Sequence, residues 1–204
     1  MIVTMHSGDK LVSIEAYPAP KRDRIDVEAA SHAYSLARDY AQRMASRRGQ
    51  AVGLENAQTF VSAMDDFIIF CLFCRRYVEL IPQCKLGGHS IVVVEVPEEE
   101  PHFGFSRNGT QKNLSLKTLL ERVIHCIFHY PLYKTHPNGD DTIIAGCEVK
   151  SDREQVYQIG FDSVVDAFLS HVPSELEAQR VEHLAQDRIE RDQMIAEYKQ
   201  RGHV

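Results

Sequence analysis

The chain has 204 residues, 44% of them apolar and 25% charged, with a formal net charge of −6. These values are those of a soluble globular protein long enough to bury a core without staples. A charge balance this mild points to no particular partner, and nucleic-acid binding would need a local basic patch.

The N-terminal MIVTMHSGDKLVS lacks a basic region followed by an apolar stretch, which argues against a signal peptide. The longest strongly apolar run, FIIFCLFC (Phe67–Cys74), falls far short of the roughly 20 residues that span a bilayer. The cysteines number five, and Cys71, Cys74 and Cys126 sit in apolar helical patterns, as reduced buried thiols do. A cytoplasmic protein is expected, with no membrane partner and with the sequons at Asn108 and Asn113 accidental.

KLVSIEAY (Lys10–Tyr17) alternates like a half-buried strand and is ended by Pro18 and Pro20. A helical pattern runs from Asp26, its expected N-cap, to about Arg48, with Gly49 and Gly53 at the break. A long helix follows over Leu54–Ile81, stopped by Pro82. Its stripe includes Met64, Phe67, Cys71, Cys74 and Val78, but Ile69 and Phe73 fall outside it. The segment Phe67–Cys74, apolar all round, belongs either at the centre of the fold or against a partner chain. Ile91–Val96 reads as a short strand, broken by PEEEP, with a loop to about Asn113. A helix is expected over Leu116–Tyr130 with Ser115 as N-cap, then a turn at HPNGDD. Thr142–Val149 and Gln155–Gly160 form a hairpin through KSDRE. Asp162–Val172 is a short helix capped by Asp162, and Pro173 ends it. Ser174 and Glu177 suggest a capping box for a last helix reaching about Gln200. That helix has only a thin stripe of Val181, Leu184, Ile189, Ile195 and Tyr198, so it lies on the surface or reaches a partner.

The expected class is α+β and predominantly α-helical: a helical bundle with an inserted β-hairpin and short strands. Residues 1–172 form one domain, and 173–204 form a C-terminal helix on the surface or against a protein partner.

ERVIHCIFHY (Glu121–Tyr130) holds two histidines four residues apart. On a helix, Leu116, Leu119, Leu120, Val123, Ile124, Ile127 and Phe128 would face the core. Glu121, Arg122, His125 and His129 would then gather on the opposite face. Three readings of that face stand. It is a solvated surface with Glu121–His125 as an i, i+4 pair. It is a metal site in which His125 and His129 need further ligands from loops. Or it is an acid–base site on a phosphodiester, with Arg122 holding phosphate oxygens and His125 or His129 moving protons.

A resemblance bears on the third reading. SLKTLLERVIH (Ser115–His125), a polar turn, a hairpin and FDSVVDAFLSHV (Phe161–Val172), preceded by FCRRYVEL (Phe73–Leu80), resemble a group of bacterial proteins with a leucine-rich helix ending in an Asn-Lys-Ile-Ile-His-like segment. That group is similar to the HEPN superfamily, and the likeness spans roughly residues 54–172. It implies a largely helical fold and nucleotide or RNA handling. In many members it implies metal-independent ribonuclease activity in stress or defence systems, often across a homodimer interface. The family motif is an arginine, four to six residues, then a histidine, which Arg122 and His129 match. Val123 stands where the family commonly has Asn, Asp or His after the arginine, and Glu121 stands at the group's asparagine position.

Arg122 as phosphate clamp and His125 or His129 as general acid–base are therefore the catalytic candidates, with no cofactor expected. The alternative is a non-enzymatic interaction or regulatory module. CLFC (Cys71–Cys74) reads as core packing on a helix, and KLGGHS (Lys85–Ser90) as a turn lacking a phosphate-loop ending. The basic residues Lys21, Arg22, Arg24, Arg38, Arg43, Arg47 and Arg48 around the first helix are a candidate phosphate-facing patch, against ordinary surface charge.

Overall fold

The computed structural model describes residues 22–50, 57–81, 84–97, 109–126, 128–135, 142–150 and 155–200. The expected strand Lys10–Tyr17, most of PEEEP and the HPNGDD turn lie outside them.

Helix α1 (Arg22–Ser46) carries Ala30, Ala33, Ala37 and Ala41 in one stripe, each at most 1% exposed. Alanine adds only a methyl group, so α2 (Ala57–Leu80) can approach it closely. α2 is the centre of the fold. Phe67, Phe70, Cys71, Cys74 and Tyr77 expose nothing. The chain itself covers this segment, apart from Leu72 on its outer side. Phe67 and Phe70 meet α4 (Phe161–Leu169), with ring centroids 4.6 Å apart for Phe67–Phe161 and 5.3 Å for Phe70–Phe168. The second pair is edge-to-face at 87°, a favoured geometry worth about 0.5–1.5 kcal/mol beyond the area it buries.

Five strands form one antiparallel sheet in the order β2-β1-β5-β4-β3. They are β1 (Ser90–Val96), β2 (Thr110–Ser115), β3 (Phe128–Thr135), β4 (Thr142–Lys150) and β5 (Val156–Gly160). β3, β4 and β5 are sequential neighbours, and β5 closes against β1. Helix α3 (Leu116–Ile124) carries the chain from edge strand β2 to the opposite edge, β3. Ile91, Val93, Cys147, Val149, Tyr157 and Ile159 join the helices in the core. On the other sheet face the buried Gln158 amide donates to Glu148 Oε2 at 3.0 Å, which satisfies a carboxylate that is only 6% exposed.

The class is thus α+β with helix predominant, and the short strands and hairpin merge into a single sheet. Several expected boundaries move. β2 falls where a loop was expected, because TQKNLS is polar and its strand character comes from pairing with β1. The helix expected to reach Tyr130 stops at Ile124. His125 takes the C-cap, and the Cys126 thiol donates to the Val123 carbonyl at 2.9 Å. Phe128–Thr135 pairs with β4 along its whole length, with an irregularity between Leu132 and Tyr133. Pro131 disfavours helix in the residue before it, and an edge strand tolerates a missing N–H.

Two expected caps also differ. Asp26 lies inside α1, and Asp162 lies in the first turn of α4, whose cap is Gly160. The final helix, α5 (Ser174–Gln200), opens with the Glu177 N–H on the Pro173 carbonyl at 3.1 Å. Ser174 is therefore already helical, and its hydroxyl meets Glu175 at 3.3 Å rather than closing a box with Glu177. No helix among the described residues is long and apolar enough to cross a membrane.

Candidate functional site

α3 is positioned at both ends. The Ser115 hydroxyl accepts from the Thr118 N–H at 3.2 Å, the expected N-cap, and the Leu116 N–H donates to the His89 carbonyl at 2.7 Å. Leu116, Leu119, Leu120 and Val123 are buried, so rotation of the helix is fixed by its apolar stripe. Arg122 and His125 then diverge. Arg122 swings toward the sheet, its guanidinium carbon 5.8 Å from the centre of the Tyr157 ring. His125 turns toward α2, where Arg75 Nη1 lies 3.0 Å from its Nε2. A guanidinium only donates, so Nε2 accepts and the neutral ring carries its proton on Nδ1.

His129 is on β3, not on the helix. Its backbone pairs with Val149, which pairs with Tyr157. Tyr157, whose ring lies beside Arg122, is thus in register with the His129 backbone two strands away. The His-x3-His helical geometry required by the metal reading is absent. Among the described residues no three His, Cys, Asp or Glu side chains gather to hold an ion.

The contact between Arg75 and His125 reveals a group that the sequence reading passed over. Arg75 is also bound to Glu79, Nε to Oε1 at 2.7 Å. Arg76, its neighbour, is exposed and forms no ion pair among the described residues. Leu72, Phe73 and Ile124 form an apolar floor between these charges, in an open groove of about 350 Å³. The Cys126 thiol beside it is pushed up by burial and is not a ready nucleophile. The sequence signal was present in FCRR, an aromatic residue and two arginines on the outer side of a helix.

Two members of the expected basic patch on α1, Arg47 and Arg48, are taken up in ion pairs. Arg47 Nη1 meets Asp66 Oδ2 at 2.6 Å, a charge contact off the angles of a hydrogen bond. Arg48 holds Asp162 at 2.9 Å and Asp166 at 2.5 Å, tying the end of α1 to α4. The cavity beside them, about 60 Å³, is too small for a nucleotide. Arg43 lies 4.7 Å from the centre of the Tyr40 ring. Lys21 and the side chains of Arg22 and Arg24 lie outside the described residues. Cys71 and Cys74 are fully buried with thiols pushed up by desolvation, which fits core packing and not redox or metal chemistry.

A second polar cluster holds the link between α4 and α5 to the body. The Tyr77 hydroxyl lies 3.1 Å from His171 Nε2, and the Tyr34 hydroxyl donates to the His171 carbonyl at 3.4 Å. Burial raises the Tyr77 phenol and lowers His171, so the phenol keeps its proton and donates it to a neutral ring.

Comparison of the chain with family models, curated proteins and solved structures gives no match.

Proposed function

We propose that this protein binds single-stranded RNA or nucleotides through the α2–α3 face, as a binding module. The supporting observation is the Arg75–His125 contact. It brings two adjacent arginines of α2 and the end of α3 around the Leu72–Phe73–Ile124 floor. Such a site suits a base on the apolar floor and phosphates on the guanidinium groups. Binding is preferred to cleavage because Arg122 and His125 engage different neighbours, leaving no tight acid–base pair on α3. The sequence resemblance to HEPN proteins suggests the same ligand class. Its arginine–histidine pair, Arg122 and His129, supports the nuclease reading as a second proposal, because Arg122 lies beside Tyr157, which is in register with His129 through Val149.

The test is fluorescence anisotropy with a labelled single-stranded RNA, titrated across salt. Two arginines (75 and 76) on two phosphates would give a slope of log affinity against log salt of about −1.4. Phe73→Ala would weaken binding by about 1–3 kcal/mol if a base stacks there. Absence of binding at low salt refutes the proposal. RNA shortened by the native chain but left intact by His129→Ala, on a gel of the same samples, would replace binding by cleavage.

A further inference from the structure

α5 is anchored by its first half only. Leu176 is buried, and Gln179, His183, Asp187 and Glu190 are half-covered on the side turned to α1. From Arg191 to Glu197 every residue is exposed. The helix is about 40 Å long at 1.5 Å per residue, so much of it stands clear of the body. About a third of a turn round from the anchored side runs a second stripe: Val181, Leu184, Arg188, Arg191 and Ile195, at steps of three and four. Its apolar members are 65%, 62% and 48% exposed, too much for a helix that has finished packing.

We infer that this stripe docks on the same stripe of a second copy of the chain, antiparallel, crossing between Ile189 and Glu190. The pattern is symmetric about that point. In this alignment Leu184 faces Ile195 of the second copy, and Val181 faces its last turn. Arg188 faces the second copy's Arg191. Asp187 and Asp192 flank the two arginines on either side of the stripe, so each comes beside an arginine of the other helix and offsets the charge. A parallel pair has the opposite character: it sets Asp187 beside the second copy's Asp192 on both flanks. An antiparallel pair also lays the free end of each helix over the anchored root of the other. That end is otherwise unsupported, and short helical segments are marginal in water alone. The root lies beside an open groove of about 510 Å³ between α1 and α5, lined in part by Leu184, Arg180 and His183.

The experiment is sedimentation equilibrium of the full chain, with far-UV circular dichroism of each variant as a folding control. The native chain is expected to reach twice the monomer mass at micromolar concentration. Leu184→Glu, at an exposed position, is expected to be folded and monomeric. Arg188→Glu distinguishes the alignments. In the antiparallel pair the new carboxylate faces Arg191 of the second copy at two symmetric places and tightens the dimer, since relief of the facing arginines outweighs the flanking Asp192 contact that is given up. In a parallel pair the new carboxylate would meet its own counterpart and loosen the dimer. A native monomer at all concentrations, or a dimer indifferent to Leu184→Glu, overturns the interface. A dimer weakened by Arg188→Glu overturns the antiparallel register.

Discussion

Replacing Arg47 with alanine should destabilise the protein far more than replacing its partner Asp66. The two groups meet at 2.6 Å, but their surroundings differ: the Asp66 side chain is 10% exposed and that of Arg47 is 37% exposed. Arg47→Ala leaves a carboxylate inside the contact between α1 and α2 with its opposite charge gone. Stranding one partner of a fully buried pair costs about 3–5 kcal/mol. Water reaches this pair through the arginine, so about 2–3 kcal/mol is expected here. For a chain of this size that is a fall in Tm of about 5–10 °C. Asp66→Ala leaves a guanidinium that can bend its stem into solvent, at about 1 kcal/mol. The double variant Arg47→Met/Asp66→Leu removes both charges and should lie within about 1 kcal/mol of the native protein. Urea melts followed by circular dichroism measure all three. The reasoning fails if Arg47→Ala is within about 0.5 kcal/mol of native, or if Asp66→Ala proves the more costly single change.

Gly87→Ala should cost about 1–3 kcal/mol in the same melts, since the new methyl would sit 2.6 Å from Val78 Cγ1 in the core. Ser115→Ala removes the N-cap of α3 and should cost about 1 kcal/mol, with Ser115→Asp retaining most of the stability. Because burial lowers His171, the unfolded chain takes up its proton first as pH falls. Stability should be full above about pH 6.5 and decline below it toward the folded pKa, and His171→Gln should flatten that part of the melting profile. Arg76→Ala should reduce the salt slope of RNA binding by about 0.7 without moving Tm, whereas an unchanged slope would remove Arg76 from the interface.

Features that depend on local periodicity and on strong stops were legible in the order of residues. α2 was legible because its apolar stripe runs for many turns and Pro82 ends it. β1 and the β4–β5 pair were legible from short runs rich in β-branched residues. Ser115 announced its cap, and the class followed from these elements. Packing settled what the period could not. TQKNLS has no apolar alternation and becomes a strand only because β1 offers a partner edge. Phe128–Tyr130 continues a helical pattern on paper, yet pairing of β3 with β4 outweighs helical propensity. That exchange moved His129 off the helix and removed the shared face that had joined it to His125. Only the packing of α3 against α2 could bring His125 to Arg75, fifty residues away in the chain, because side chains that meet between helices leave no spacing signal. The same holds for the basic residues at the end of α1. Their number was plain from the sequence, but their carboxylate partners on α2 and α4 were supplied by the fold.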